Sequence, residues 1–117
     1  MHLTGKQRRF LRAQGHALKP LVWIGKQGIA ANVLAQLDGA LTSRELVKVK
    51  LLESCPLSTG ECAAELAQAT EAAVAQTLGH TILLYRPHPE RPVLEWPAGQ
   101  EPSPARPSPA RRGEAQP

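Results

Sequence analysis

A chain of 117 residues and 12.6 kDa has room for one domain, since most domains contain roughly 100–150 residues. No apolar run approaches the ~20 residues needed to cross a bilayer, which excludes a membrane protein. Two cysteines, Cys55 and Cys62, are too few for a disulfide framework, and their spacing fits no common zinc site. Because residues 1–16 also lack the apolar core of a secretory signal, we expect a cytoplasmic protein with reduced thiols.

The net charge of +4 is unevenly distributed along the chain. Residues 1–50 contain nine Lys and Arg against two acidic residues, a balance of +7. Residues 51–96 have a balance of −4, and residues 97–117 add +1. This asymmetry indicates that a polyanion binds the N-terminal half.

The first predicted element is a helix that begins after Thr4. Thr4 and Gln7 fit the capping-box pattern, and Gly15 is a typical helix stop. At 100° per residue, Phe10 and Leu11 fall on the face that we expect to enter the core. The opposite face carries four cations: Lys6, Arg8, Arg9 and Arg12.

Two strands and a helix are predicted next. The apolar run at residues 21–24 predicts a buried strand. Apolar residues spaced three and four apart over residues 30–41 predict a helix with one buried face. Residues 46–51 alternate between apolar and polar, which predicts a strand with Lys48 and Lys50 on the face opposite the core.

The second half begins with a capping box at Ser58 and Glu61, followed by an Ala-rich helix that we expect to reach Leu78. Residues 80–85 and 93–96 are predicted strands that form an antiparallel hairpin. The order α-β-α-β-α-β-β predicts a small α/β domain with a four-stranded mixed sheet.

The last 21 residues differ in composition from the rest, with six of the eleven prolines and no Leu, Ile, Val or aromatic side chain. Such a segment cannot bury enough apolar surface to offset its ordering entropy. We therefore expect a globular domain over residues 1–96 and a disordered tail over residues 97–117.

The loop Gly25-Lys26-Gln27-Gly28 lies between the first strand and the second helix. Its glycines permit positive φ and close approach of a ligand, while Lys26 and the helix N-terminus attract phosphate. Many strand-to-helix turns contain two glycines without binding anything, and lysines on a sheet face are often merely solvated. If the loop, the helix cations and the strand lysines share one side, however, they form a groove for a phosphate backbone.

These segments resemble the CRM domain (chloroplast RNA splicing and ribosome maturation) in its bacterial stand-alone form, the YhbY-like RNA-binding proteins. The resemblance covers about residues 2–96. It rests on the order and spacing of Leu3-Thr-Gly-Lys-Gln-Arg8 with Leu11-Arg12, His16-Ala-Leu-Lys-Pro20, Val22-Trp-Ile-Gly25 with the loop, Glu45-Leu-Val-Lys-Val-Lys-Leu51, and Leu84-Tyr-Arg-Pro87.

The resemblance implies an α/β fold similar to the C-terminal domain of an initiation factor. It also implies RNA binding through the loop and the adjacent basic surface, with ribosomal RNA in precursors of the large subunit as the partner. Arg86 matches the arginine of the family's Tyr-Arg-Pro segment. The expected RNA-binding residues are Gly25, Lys26, Gln27, Gly28, Lys6, Arg8, Arg9, Arg12, Lys48, Lys50 and Arg86.

Two other classes of function compete with RNA binding. No motif places a nucleophile beside a base, and no phosphate-binding or dinucleotide-binding glycine pattern is complete, so we expect a monomeric non-enzyme without metal or cofactor. An adaptor that binds basic ribosomal proteins through Glu61, Glu65 and Glu71 is the alternative.

Base stacking is the less favoured mode of RNA recognition. A sheet that reads bases presents two or three aromatic side chains, and we expect each of the four here to lie in the core or at its rim. The four are Phe10, Trp23, Tyr85 and Trp96. The sequence thus predicts recognition of backbone and shape.

Overall fold

The computed structural model describes residues 2–88, 90 and 92–102. The elements are helix α1 (Gly5–Gly15), strand β1 (Val22–Ile24), helix α2 (Ala31–Arg44), strand β2 (Leu46–Leu51), helix α3 (Thr59–Thr70), strand β3 (Ala73–Leu78) and strand β4 (Thr81–Tyr85). The strands form one sheet in the order β1-β2-β4-β3, with β1 parallel to β2 and the other pairs antiparallel. The predicted fold class, a small α/β fold with a four-stranded mixed sheet, is confirmed.

Strand β3 replaces the end of the helix that was predicted to reach Leu78. Helix α3 ends at Thr70, and Glu71 adopts a left-handed conformation with φ of 57°. Residues 73–78 then pair with β4 across a two-residue turn in which Gly79 has φ of 60°. Alanine favours a helix by less than about 1 kcal/mol per residue, so pairing and burial in a sheet override it.

The strand predicted at residues 93–96 is wrong, because none of these residues pairs with the sheet. The backbone N–H groups of Val93 and Leu94 instead donate to the buried carboxylate of Glu45, at 2.7 and 2.9 Å. The ring of Trp96 lies against Phe10, with centroids 4.5 Å apart. The C-terminal hairpin is therefore formed one strand earlier, by β3 and β4.

The two faces of the sheet are covered differently. Helices α2 and α3 cover one face, and this core contains Val22, Ile24, Leu37, Leu41, Val47, Val49, Leu51, Leu66, Ile82 and Leu84. Helix α1 and part of the segment after β4 pack on the other face, with Leu3, Leu11, Leu46, Leu83 and Tyr85 buried and Leu94 and Trp96 partly buried. The predicted inward set of β2, Val47, Val49 and Leu51, is confirmed. Since side chains alternate along a strand, Lys48 and Lys50 point to the α1 side.

Both predicted capping boxes are present. The backbone N–H of Gln7 donates to Thr4 Oγ1 at 3.1 Å, and the N–H of Thr4 donates to Gln7 Oε1 at 2.8 Å. Ser58 and Glu61 make the same pair of bonds at the start of α3. The backbone N–H and then the hydroxyl of Ser58 lower the pKa of Glu61, because both stabilise its carboxylate.

The segment after β4 returns to the start of α1. Gln7 Nε2 donates to the carbonyl of Gln100 at 3.2 Å, four residues beyond the predicted domain boundary at residue 96. The predicted tail from residue 103 onward lies outside the described residues. None of the described helices is long and apolar enough to cross a bilayer.

Candidate nucleic-acid interface

The loop between β1 and α2 is a tight turn with an open tip. The N–H of Gly28 donates to the carbonyl of Gly25 at 3.0 Å. Lys26 and Gln27, between the two glycines, are exposed. Gly28 has φ of 66°, a conformation that costs a residue with a Cβ about 1–2 kcal/mol. The backbone conformation therefore favours glycine at the second position of the motif.

The segment that follows β2 supports this loop from behind. The N–H of Leu52 donates to the carbonyl of Ile24 at 2.9 Å. A Cβ on Gly25 would lie 3.5 Å from Ser54 Oγ, and a Cβ on Gly28 would lie 3.9 Å from Pro56 Cγ. Because both glycines rest on a neighbouring segment, the turn is held in place while its tip faces solvent.

Helix α2 begins three residues after the loop, at Ala31. Its N-cap, Ala30, supplies no side-chain hydrogen bond, and the first turn contains no acidic residue. The positive end of the helix dipole is therefore not offset by a side chain. This helix end and Lys26 both favour an anion near the loop.

Basic side chains from two elements lie on one side of the sheet. Helix α1 packs on the face to which Lys48 and Lys50 point. Lys50 is exposed and Lys48 is half-buried. The α1 cations point away from the core, with Lys6, Arg8 and Arg9 exposed and Arg12 half-buried. Of the three groups that the sequence left open as sharing a side, the α1 cations and the strand lysines lie on the α1 side of the sheet.

None of these cations pairs with an acidic residue in the described ranges. Among the residues that the structure describes, the single ion pair joins Arg86 to Asp38. Unpaired cations remain available to an external anion. We call the following set the basic side: Lys6, Arg8, Arg9, Arg12, Lys48 and Lys50.

A shallow cavity of about 300 Å³ adds two cations that the sequence analysis did not select. It is lined by Lys19, Arg44 and Lys48 together with four apolar residues, and none of these described lining residues is acidic. Only the high basic content of residues 1–50 pointed to Lys19 and Arg44 in advance. The cavity extends the basic side beyond Lys48.

Trp23 is not buried as predicted. Its side chain is 50% exposed, although Val22 and Ile24 on either side are completely buried. An apolar run cannot show whether both faces of its strand are covered. In this fold, α1 packs on one face of the sheet but does not extend over β1. The expectation holds for the other aromatics: Tyr85 is buried, and Phe10 and Trp96 pack together at the rim of the core.

Arg86 lies apart from the basic side. It follows Tyr85 at the end of β4, and its guanidinium reaches α2 and α3, which cover the face of the sheet opposite α1. The Arg86 guanidinium donates to two Asp38 oxygens, to Thr42 Oγ1 and to the carbonyl of Thr70, all within 3.1 Å. These bonds tie the end of β4 to α2 and α3, so the geometry gives Arg86 a structural role.

The cysteines lie close together behind the loop. Their Sγ atoms are 3.9 Å apart, with Cys62 buried and Cys55 partly exposed. Burial, and secondly the contact with Cys55, raises the pKa of Cys62 to about 12, so this thiol stays protonated and is a poor nucleophile. Within the described ranges, no group of three or more His, Cys, Asp or Glu is placed to hold a metal ion.

Comparison with known proteins agrees with this architecture. The CRS1 / YhbY (CRM) domain model matches residues 3–86. The chain is 40% identical over 93 residues to the "Probable RNA-binding protein YqeI" of Bacillus subtilis, which covers 80% of this chain and 97% of that protein. It is 36% identical over 91 residues to a Haemophilus influenzae protein named "RNA-binding protein", covering 78% and 92% of the two chains.

A solved structure shows the same fold. The solution structure of the hypothetical protein SAV1595 from Staphylococcus aureus superposes with a TM-score of 0.70 at 40% identity. The match covers 82% of this chain and all of the other. The family model spans α1 to the end of β4 and includes the glycine loop. The chain therefore belongs to the CRS1/YhbY family of CRM domains.

Proposed function

We propose that this protein binds RNA through the glycine loop and the basic side. The observation that carries the proposal is the set of six cations on the α1 side of the sheet, together with Lys26 on the loop, without an acidic partner among the described residues. The names of the Bacillus and Haemophilus relatives support the same class of ligand. The loop adds a backbone that a sugar-phosphate chain approaches closely.

The mechanism is electrostatic recognition of the RNA backbone. Lys26 and the first turn of α2 attract a phosphate at the loop. Arg8, Arg9 and Lys50 offer contacts to further phosphates along the RNA chain. Each neutralised phosphate releases condensed counterions, so affinity must fall steeply as salt rises. Nothing in this mechanism requires a chemical step, a metal or a cofactor, and one copy of the chain suffices for it.

The cellular partner proposed is ribosomal RNA in cytoplasmic precursors of the large subunit. This part of the proposal rests on the resemblance to YhbY-like proteins. In a sucrose gradient of a cell extract, the protein should sediment with particles smaller than the mature ribosome. Sedimentation only as free protein at low salt, or only with small subunits, would contradict this assignment.

The loop itself is tested by Lys26→Asp combined with Gln27→Asp. Because both side chains are exposed, the fold should tolerate the change, whereas two carboxylates at the loop should repel phosphate and abolish most binding. Affinity for a labelled ribosomal RNA fragment would be titrated at several salt concentrations, with circular dichroism to verify folding. A folded double variant that binds as tightly as the parent would disprove the loop mechanism.

A matched control places new carboxylates on the other side of the sheet. Ala64 and Gln68 are exposed on α3, so Ala64→Asp with Gln68→Asp adds two negative charges away from the basic side. This control should bind RNA nearly as well as the parent.

Lys48→Ala with Lys50→Ala should weaken binding moderately and reduce the salt slope by about 0.7 for each phosphate of a single strand that these lysines neutralise in the parent.

A second function, as an adaptor, has a specific surface in its favour. Glu65 and Glu71 are exposed on or beside α3, on the opposite side of the sheet from α1. Glu61 is occupied by its capping box. A basic ribosomal protein would fit this acidic side while RNA occupies the basic side. Glu65→Gln with Glu71→Gln should then release ribosomal proteins from the purified protein without changing affinity for naked RNA.

A further inference from the structure

The exposed tryptophan of β1, at the edge of the sheet, stands at one end of an open strip on the α1 side. Trp23 is directly opposite Lys50 in the parallel β1–β2 pair. Lys50 is in turn opposite Thr81, and Thr81 is opposite Leu78. Trp23 is 50% exposed and Leu78 67% exposed, with Lys50 also exposed between them. This row of four side chains, the open strip, runs across the whole sheet.

The strip is open because α1 covers only part of its face. The buried partners of α1 on that face come from the other end of the strands, namely Leu46, Ala73 and Tyr85. A Cβ added to Gly15, the last residue of α1, would lie 2.8 Å from Leu83 Cδ2. On this face of β4, Leu83 is the neighbour of Thr81, which belongs to the strip. No described element packs over Trp23, although an indole ring is among the costliest side chains to leave in water.

We propose that Trp23 is a stacking platform for an unpaired RNA base, so that this protein recognises single-stranded RNA rather than only a phosphate backbone. The inference rests on the proposed RNA binding and deepens it. Proteins that bind single strands combine a positively charged groove with aromatic side chains on which bases stack, and this stacking tolerates any base because every base has a π-face.

The charges around Trp23 favour RNA over a protein partner. Lys50 lies beside the ring in the ladder, and Lys48 precedes it on the same face. Neither lysine has an acidic partner among the described residues. Two acidic residues lie three positions from these lysines in sequence: Glu45, which is buried, and Glu53, which lies beyond the strand in the supporting segment. An apolar ring flanked by unpaired lysines fits a base and its phosphates.

The distance from Trp23 to the loop fits the same strand of RNA. Trp23 is two residues before Gly25, which corresponds to about 7 Å along an extended chain. A phosphate held at the loop therefore leaves the base of a neighbouring nucleotide within reach of the indole. The loop fixes the backbone, and Trp23 holds a base that pairing in a duplex would make inaccessible.

The test compares Trp23→Ala and Trp23→Phe with the parent in binding to a labelled 12-nucleotide oligouridylate and to a blunt, fully paired RNA duplex. Trp23→Ala should weaken binding to the single strand about tenfold and leave binding to the duplex nearly unaffected. Trp23→Phe should keep most of the affinity, since a phenyl ring also stacks. Leu78→Ala is the matched control, because it removes another exposed apolar side chain from the same strip without affecting stacking.

Fluorescence gives a second readout in a Trp96→Phe background, where Trp23 is the remaining tryptophan. Oligouridylate should quench this emission. Equal single-strand affinity of Trp23→Ala and the parent would overturn the stacking role while leaving the loop mechanism intact. Failure of the parent to bind any RNA would instead overturn the proposed function and the inference together. Loss of self-association in Trp23→Ala, with RNA affinity unchanged, would assign the strip to a protein contact.

Discussion

Arg86 and Asp38 form an ion pair with 2.7 Å between Nη1 and Oδ1, and the same guanidinium reaches the carbonyl of Thr70. One side chain thus joins the end of β4 to the middle of α2 and the end of α3. Asp38 is largely exposed, so the ion pair itself contributes little. The hydrogen bond to the carbonyl of Thr70 matters more, because its loss leaves a partly buried acceptor without this donor.

Replacing Arg86 with Ala should therefore lower the free energy of unfolding by about 2 kcal/mol. Urea denaturation followed by circular dichroism would measure it. Arg44→Ala, which removes an exposed arginine from the last turn of α2, is the control and should change stability by less than about 0.5 kcal/mol. At a temperature where Arg86→Ala is folded, its RNA affinity should match that of the parent. Unchanged stability with reduced affinity would instead place Arg86 in the RNA contact.

The two glycines of the loop should respond differently to alanine. Gly28 has φ of 66°, so Gly28→Ala should cost about 1–2 kcal/mol of stability or shift the turn. Gly25 does not have positive φ, and its added Cβ would meet Ser54 Oγ at an ordinary 3.5 Å. Gly25→Ala should therefore be nearly neutral for folding. Thermal unfolding of the two variants side by side would check this, and equal Tm values would refute it.

Shortening the chain should reveal where the fold ends. Removal of residues 103–117 should leave the Tm nearly unchanged, because residues 2–102 keep all the interactions described above. Removal of residues 93–117 takes away two N–H donors to the buried Glu45 carboxylate and the ring of Trp96. That loss should cost at least about 2 kcal/mol, or roughly 10 °C in Tm. A chain of residues 1–92 as stable as the parent would show that this segment is dispensable.

The cysteines should differ in reactivity. Because the pKa of Cys62 is raised to about 12, only about one molecule in 10,000 carries the thiolate at pH 8. Iodoacetamide at pH 8 should therefore modify the partly exposed Cys55 and spare Cys62 until the protein unfolds. Mass spectrometry of the native and urea-treated protein would locate the label. Rapid native labelling at Cys62 would contradict its burial.

The same raised pKa has a consequence for stability. The folded state holds the Cys62 proton more tightly than the unfolded chain, so its contribution to stability is complete below pH 9. It is lost as the pH rises from about 9 to 12. Burial also raises the pKa of Tyr85, which acts in the same direction at higher pH. The urea midpoint of the parent should therefore fall as the pH rises above 9. Cys62→Ala should make the first part of this fall less steep.

Local patterns predicted the parts of the fold that local interactions determine. The capping boxes at Thr4 and Ser58 bring together residues three positions apart, and the alternation of β2 follows from the pleat of a single strand. The glycine loop was located because its neighbours on both sides, β1 and α2, have clear hydrophobic patterns. The family resemblance could also be identified from the sequence, because it rests on short local segments.

The missed features depend on contacts between distant residues. Residues 73–78 form a strand because β4 pairs with them, and alanine-rich sequence alone favours a helix. Trp23 is exposed because α1 stops short of β1. The sequence of β1 itself does not show how far α1 extends over the sheet. Arg86 bonds with Thr42 and Asp38, which lie 44 and 48 positions earlier in the chain. No motif around Arg86 therefore showed that its donors were occupied.

The hydrogen bond between Gln7 and Gln100 means that the described chain enters and leaves the fold at one place. A circular permutant is therefore feasible: a short glycine-serine linker would join residue 102 to residue 2, and the chain would be reopened at the exposed turn of Gly79 and His80. Such a rearranged chain would have both of its new ends at the hairpin between β3 and β4. Fluorophores attached there would report on RNA binding from a point remote from the first helix.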